Sequence, residues 1–256
     1  MVPKEELKNV ETRRLSDSKN LRLPLDRYLI TEEDARVISK GRIKLVGDCI
    51  KRFGVVFNYH ENYESRIGTN ERRYGLADPF LANAQGYHLN FSEAKQSQPS
   101  GTTLEILTGK IETYKGMRVP KDGCTGEAKR KLHEEELQSS IEVAQNLNHE
   151  SYNASRQDRA VIKANKAWVE CMRGKGYSYA DPMSAISDDR FTKQEIAANE
   201  RQTARADVLC KTKVNLIGIW ASVETSYQQA LIRDNQSALS KALEAKNKTF
   251  KAAESA

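Results

Sequence analysis

The side chains best suited to chemistry are four cysteines, Cys49, Cys124, Cys171 and Cys210. Their spacing decides which chemistry is open to them. None belongs to a Cys-x-x-Cys pair, which disfavours zinc ribbons and thioredoxin-type redox motifs. The histidines, His60, His88, His133 and His149, stand at no zinc-ligand spacing from a cysteine pair. Three arrangements are left: a zinc site built from scattered ligands, four thiols buried in helices, or two disulfides. A weak internal repeat favours the disulfides. Asp48-Cys49-Ile50-Lys51-Arg52-Phe53-Gly54 and Glu170-Cys171-Met172-Arg173-Gly174-Lys175-Gly176 both run acid, cysteine, large apolar residue, base, with a glycine five positions after the cysteine. Ala77-Asp78-Pro79-Phe80 follows the first copy and Ala180-Asp181-Pro182-Met183 the second. Each half then supplies one more cysteine. Two related units, each closed by its own bridge, pair Cys49 with Cys124 and Cys171 with Cys210. Four cysteines permit three connectivities, and the repeat alone selects this one. Such bridges persist in oxidising compartments, so the expected location is extracytoplasmic.

Other chemistry finds little support. The sequence has no Gly-x-Ser-x-Gly, no His-Glu-x-x-His and no glycine-rich phosphate loop. His133-Glu134-Glu135-Glu136-Leu137 lacks a second histidine four residues on and reads as a solvated acidic helix face. Asp78 and Asp181 precede prolines and suit turn capping better than acid–base work. No catalytic residue, metal ligand or cofactor is therefore assigned. The best candidate for recognition is the segment 57–91, where Phe57, Tyr59, His60, Tyr63, Tyr74, Tyr87, His88 and Phe91 mix with Arg66, Arg72 and Arg73. Aromatics beside arginines offer large contact area with few torsions to freeze. The candidate surface comprises Tyr59, His60, Tyr63, Arg72, Arg73, Tyr74, Tyr87 and His88. The alternative is that half of these aromatics fill a small core under the loop. Trp168 and Trp220 lie on helical stripes and are expected in the core.

The elements that must carry these residues are mainly α-helical. Thr31-Glu32-Glu33-Asp34 is a helix start with Thr31 as N-cap. Ile38, Leu45, Cys49 and Phe53 then share one face, and Gly54 ends the helix. Between 55 and 123 helical periodicity fades, leaving a long irregular segment in which Leu104–Leu107 and Tyr114–Val119 read as short strands. A second helix starts near Gly126, breaks at Asn146–Asn153, and restarts with Ser155 and Asp158. Ala160, Ala164, Trp168 and Cys171 form its stripe. Thr192-Lys193-Gln194-Glu195 is a capping box that opens one long, bent helix to about Phe250, with Leu216, Trp220, Val223, Tyr227 and Leu231 as its stripe. The lysines at 241, 246, 248 and 251 suggest a solvated, fraying end. The expected architecture is bundle-like with two weakly repeated, disulfide-stapled units. Residues 1–20 form a flexible tail or tether, 21–153 the first helical unit with its aromatic insert, and 154–256 the second unit with the long C-terminal helix.

Composition narrows the class. At 38% hydrophobic and 30% charged the chain is polar but able to fold. No apolar run is long enough to span a bilayer. The net charge of +6 is modest and dispersed, which suits an anionic envelope; dedicated nucleic-acid binding is not expected. Met1-Val2-Pro3-Lys4-Glu5-Glu6 has no apolar stretch and does not read as a signal peptide. The cysteines outweigh this, so the sequence is taken as a mature form.

The strings CIKRFG, RRYGLADPFLA, GYHL, VPKDGCTGEAKRKL, AWVECMRGKGYSYADP and ARADVLCKTKVNLIGIWASVETSYQ resemble secreted or lipid-anchored proteins of actinobacteria such as the streptomycetes. The resemblance runs from about Leu23 to Tyr227 and is sharpest around the cysteines. It implies a leader of lipoprotein type, membrane attachment by a lipid anchor only, and partners such as a membrane export system. The family has no agreed activity to transfer. The sequence thus points to a non-catalytic binding or adaptor protein at the cell envelope, meeting an envelope protein, a peptide or a cell-wall glycan. The rival is a cell-wall-acting enzyme whose catalytic carboxylates lie among the scattered acids.

Overall fold

The computed structural model describes residues 12–15, 17–57, 59, 68–88, 98–191 and 195–256. Among them run ten α-helices: α1 (Glu32–Arg52), α2 (Pro79–Gln85), α3 (Gly101–Thr108), α4 (Gly123–Lys131), α5 (Glu134–Arg156), α6 (Arg159–Arg173), α7 (Pro182–Ile186), α8 (Ala198–Val214), α9 (Leu216–Asp234) and α10 (Gln236–Glu254). The sheet is one antiparallel hairpin of β1 (Thr113–Tyr114) and β2 (Met117–Arg118). The mainly helical class follows the sequence. So does the cysteine pairing: Cys49 is bridged to Cys124 and Cys171 to Cys210, with Cα atoms 5.6 and 5.7 Å apart.

The chain forms two compact units. The first holds residues 1–26, 65–91 and 146–235; the second holds 27–64, 92–145 and 236–256. Each contains one of the two bridges. The units interleave along the chain, whereas a division at 153/154 treats them as consecutive.

In the second unit α1 is the central element, packed along α4 and α10. Thr31 and Asp34 form a capping box, with Thr31 N–H donating to Asp34 Oδ2 at 2.8 Å. Ile38, Cys49 and Phe53 are buried on one face, as their spacing predicts. Gly41 allows the closest crossing: a Cβ there would lie 2.7 Å from Ala253 Cα in α10. α10 is helical to Glu254. Of its lysines Lys246 is buried, whereas Lys241, Lys248 and Lys251 stay exposed as expected. Lys246 pairs with Asp34 at 2.6 Å and donates to Leu29 O at 2.7 Å, while Lys248 pairs with Glu136 at 2.6 Å. Leu104–Leu107 lie in α3, not in a strand, because Ile106 and Leu107 turn toward Val46, Cys124 and Ala128 with helical periodicity. Only Tyr114–Val119 keeps strand character, as the short hairpin. α4 begins three residues earlier than expected, at Gly123.

The first unit is built on α6, α8 and α9, with α2 and α7 against α8. Trp168 is fully buried among Met172, Ala204 and Leu216. Trp220 stacks on Tyr74 at 5.0 Å and on Tyr152 at 5.6 Å. Asp78 and Asp181 cap α2 and α7 through backbone amides. No break occurs at Asn146–Asn153; α5 continues to Arg156, and Asp158 caps α6. The helix persists through these poor formers because Asn148 and Ser151 are held by long-range hydrogen bonds, and tertiary contacts override propensity. The single long C-terminal helix is instead three helices. Asn215, in the left-handed region at φ 53°, separates α8 from α9, and Asn235 separates α9 from α10. Thr192–Gln194 of the expected capping box lie outside the described residues; α8 starts at Ala198.

Asn215 also gathers in the N-terminal segment. Its Oδ1 accepts from Leu15 N at 3.3 Å and its Nδ2 donates to Arg13 O at 3.3 Å. Gly218, the next turn of α9, lets that backbone lie flat on the helix; a Cβ would overlap the Arg13 carbonyl oxygen. Leu15 and Leu21 join the Trp220 cluster, and the buried Ser18 hydroxyl donates to Glu71 O. The part of the tail from residue 12 is therefore docked, because it carries apolar side chains and meets an amide that reads its backbone. Gly218→Ala should lift this strap at a cost of about 1–3 kcal/mol for forced overlap. Trypsin should then cut at Arg13 or Arg14 at least several-fold faster than in the parent chain. An unchanged cleavage rate would show that the strap does not depend on the notch.

Candidate functional site

The described members of the aromatic segment do not all face solvent. Tyr74 and Tyr87 are only 1% and 6% exposed, because both rings fill the core of the first unit. Arg73 lies against them, its guanidinium paired with Glu224 and its Nη2 donating to Asn148 O at 3.0 Å. Tyr74 Oη and Ser151 Oγ donate to the same carboxylate at 2.8 and 3.0 Å. Arg72 clips the chain at Tyr87 O and His88 O, at 3.5 and 3.4 Å. His88 Nδ1 and Tyr87 N both meet Glu200 Oε1 at 2.8 Å. Tyr59 belongs to the second unit and packs beside Phe53 and Val119. His60, Tyr63, Arg66 and Phe91 lie outside the described residues. What spacing alone suggested as a binding face is, for Arg73, Tyr74 and Tyr87, an interior network.

A second buried cluster has perturbed charges of the kind found in active sites. Lys211 Nζ meets Asp207 Oδ2 at 2.9 Å and Leu76 O at 2.8 Å. Trp168 Nε1 donates to Asp207 Oδ1 at 3.0 Å, and Tyr87 Oη to Oδ2 at 3.3 Å. Burial pushes the Asp207 carboxyl up and the Lys211 amine down, while their mutual attraction and hydrogen bonds oppose both shifts. Asp207 and Glu200 are 0% exposed and Lys211 1%. A solute reaches none of them, so the perturbation reflects a structural ion pair.

The accessible chemistry is elsewhere in the first unit. The docked strap and α9 enclose an open groove of about 670 Å³. Arg13, Arg14 and Arg22 line its walls, and Ser222, Thr225 and Ser226 line its floor. The floor is narrow-chained for a reason: Gly218, Ala221, Ser222 and Thr225 recur at helical spacing on the face that receives the strap. Ser222 Oγ donates to Gly218 O at 2.8 Å and Ser226 Oγ to Ser222 O at 3.2 Å. Both hydroxyls meet the helix backbone and, as rotors, can donate or accept toward the groove. The three arginines are exposed and make no ion pair among the described residues. By contrast, a cleft of about 540 Å³ in the second unit is rimmed by Arg42 and Glu134, which neutralise each other at 2.7 Å.

In comparisons with protein families, curated proteins and solved structures, nothing matches this chain. The groove is therefore read from its own chemistry. It combines guanidiniums that make no ion pair among the described residues, which grip phosphate or carboxylate through a planar fork, with hydroxyls that donate or accept. Arg13, Arg14 and Arg22 escape a reading of the sequence because a polar N-terminal segment looks like a tail. The usable signal is Leu15 and Leu21 in that segment, with the small residues on the face of α9 away from Val223.

Proposed function

We propose that this chain is a non-catalytic binding or adaptor protein of the cell envelope, working on the outer side of a membrane, and that the groove lined by Arg13, Arg14 and Arg22 receives an anionic partner. One observation carries the reading: three arginines that make no ion pair among the described residues line the same groove, against one carboxylate, Asp17. Elsewhere in the first unit Arg73, Arg156 and Arg190 are paired with acids. Unpaired like charges repel at a cost, which an anionic ligand removes. The outer location is supported by the two bridges, which survive in oxidising surroundings.

The test is equilibrium binding of inorganic polyphosphate to the full chain. The triple variant Arg13→Gln, Arg14→Gln, Arg22→Gln should bind at least about tenfold more weakly, equivalent to ~1.4 kcal/mol. The parent's affinity should fall as salt rises, since exposed charges are screened. Neutral dextran should not compete. Equal binding by parent and variant would remove the groove from consideration.

A further inference from the structure

We infer that the hairpin of the second unit docks on an anionic lipid bilayer, with a phosphate-bearing headgroup seated in the groove beside it. The inference rests on other residues than the groove of the first unit and is tested separately from it.

The hairpin is a tight, cationic tip. Lys115 and Gly116 both hold left-handed backbone, at φ 47° and 77°, and form the two-residue turn that fits the twist of antiparallel strands. Residues 110–121 contain Lys110, Lys115, Arg118 and Lys121 against one carboxylate, Glu112. All four cations are exposed, and none makes an ion pair among the described residues. Tyr114 and Met117 stand opposite each other across the two strands, and Met117 is 37% exposed. Apolar surface is thus presented beside the charge.

The groove beside the hairpin has a volume of about 470 Å³. Arg52, Arg118 and Lys121 supply its charge, and Phe53, Met117, Val119 and Pro120 its hydrocarbon; no carboxylate among the described residues lines it. Arg52 is paired with Glu127, which leaves Arg118 and Lys121 to meet a ligand. Cations set among hydrocarbon call for an anion joined to an apolar body, which is the makeup of an acidic phospholipid. A bilayer also meets the tip as a charged plane, where every lysine or arginine near the surface adds attraction and a tyrosine ring sits well at headgroup depth. An acidic peptide fits less well. Val119 N–H already donates to Glu112 O at 2.8 Å and Pro120 has no N–H, so a peptide main chain finds no donor at these two positions. The sugar–phosphate chain of a nucleic acid satisfies the cations but leaves the hydrocarbon of the groove uncovered.

The experiment measures co-sedimentation of the full chain with vesicles of phosphatidylcholine alone and of phosphatidylcholine mixed with phosphatidylglycerol. The parent should bind the mixed vesicles and not the neutral ones. The triple variant Lys115→Gln, Arg118→Gln, Lys121→Gln should bind at least about tenfold more weakly, and Met117→Ser at least about threefold more weakly, for the lost apolar contact. These side chains are exposed, so far-UV dichroism and melting temperature should stay close to the parent's. Free glycerol phosphate, which has the charge without the chains, should not displace the vesicles. The variant Arg13→Gln, Arg14→Gln, Arg22→Gln should bind vesicles as the parent does. Equal binding to both kinds of vesicle, or full binding by the hairpin triple variant, would overturn the inference. Displacement by free glycerol phosphate would assign the groove to a soluble phosphate and overturn it too. So would tighter, Arg118-dependent binding of poly-L-glutamate or of duplex DNA, which would make the partner a peptide or a nucleic acid. Loss of vesicle binding in the Arg13, Arg14, Arg22 variant alone would move the membrane contact to the first unit.

Discussion

Replacing Cys171 and Cys210 together by serine is expected to lower the thermal midpoint of the first unit by roughly 8–16 °C. The bridge closes a loop of 39 residues. In the chain-entropy model such a cross-link restricts the unfolded chain by about 4 kcal/mol. For a chain of this size each kcal/mol moves the midpoint by about 2–4 °C. Both tryptophans, Trp168 and Trp220, belong to the first unit, so their fluorescence reports on it directly. Cys210 is fully buried against Trp168 and its neighbours, and two serines there lose packing as well. Dithiothreitol should reproduce the shift in the parent chain. An unchanged midpoint would mean that the bridge contributes no stability. The compartment is checked in the same chemistry. Non-reducing peptide mapping of protein from its native source should recover Cys49–Cys124 and Cys171–Cys210. Four alkylatable thiols would sink the extracytoplasmic reading.

Asp207→Ala is expected to destabilise the first unit by about 3–5 kcal/mol. Removing one member of a buried pair leaves the other as an uncompensated charge, which costs far more than the pair itself was worth. Here Lys211 would keep Leu76 O at 2.8 Å but lose the Asp207 carboxylate that it meets at 2.9 Å. Trp168 Nε1 would keep only its 3.4 Å contact with the Asp207 carbonyl. Lys211→Met should be damaging for the mirror reason, stranding Asp207. The double variant should lose less than the sum of the singles, by about 2 kcal/mol, because neither charge is then left alone. Chemical denaturation followed by tryptophan fluorescence measures all three. Strict additivity would show that the two groups do not act as a pair. These residues are the ones that a search for perturbed charges picks out first, so the outcome also separates a stabilising pair from a working one.

The comparison between expectation and structure turns on distance along the chain. Thr31 with Asp34, and Asp158, announce helix starts because a cap acts over two or three residues, and these caps stand where the sequence places them. The face shared by Ile38, Cys49 and Phe53 is likewise a matter of one helix's own period. The cysteine repeat compares two short segments, and it was enough to choose one connectivity of three. Tyr74 could not be placed this way. Its burial depends on Trp220 and on Glu224, which lies 150 residues away. An aromatic beside arginines has the same composition in a core network as on a recognition surface. The strap follows the same rule. Arg13 and Leu15 look free until Asn215, about 200 residues on, holds their backbone and Gly218 clears the space for it. The break at Asn215 is hidden for a related reason: a left-handed residue costs little to asparagine, and nothing nearby signals that the strap's amides will reward it. Local spacing therefore settled the start and buried face of α1, the cap of α6 and the bridges. Long-range packing decided which charged and aromatic side chains are sealed inside and which stay exposed, Arg13, Arg14 and Arg22 among them.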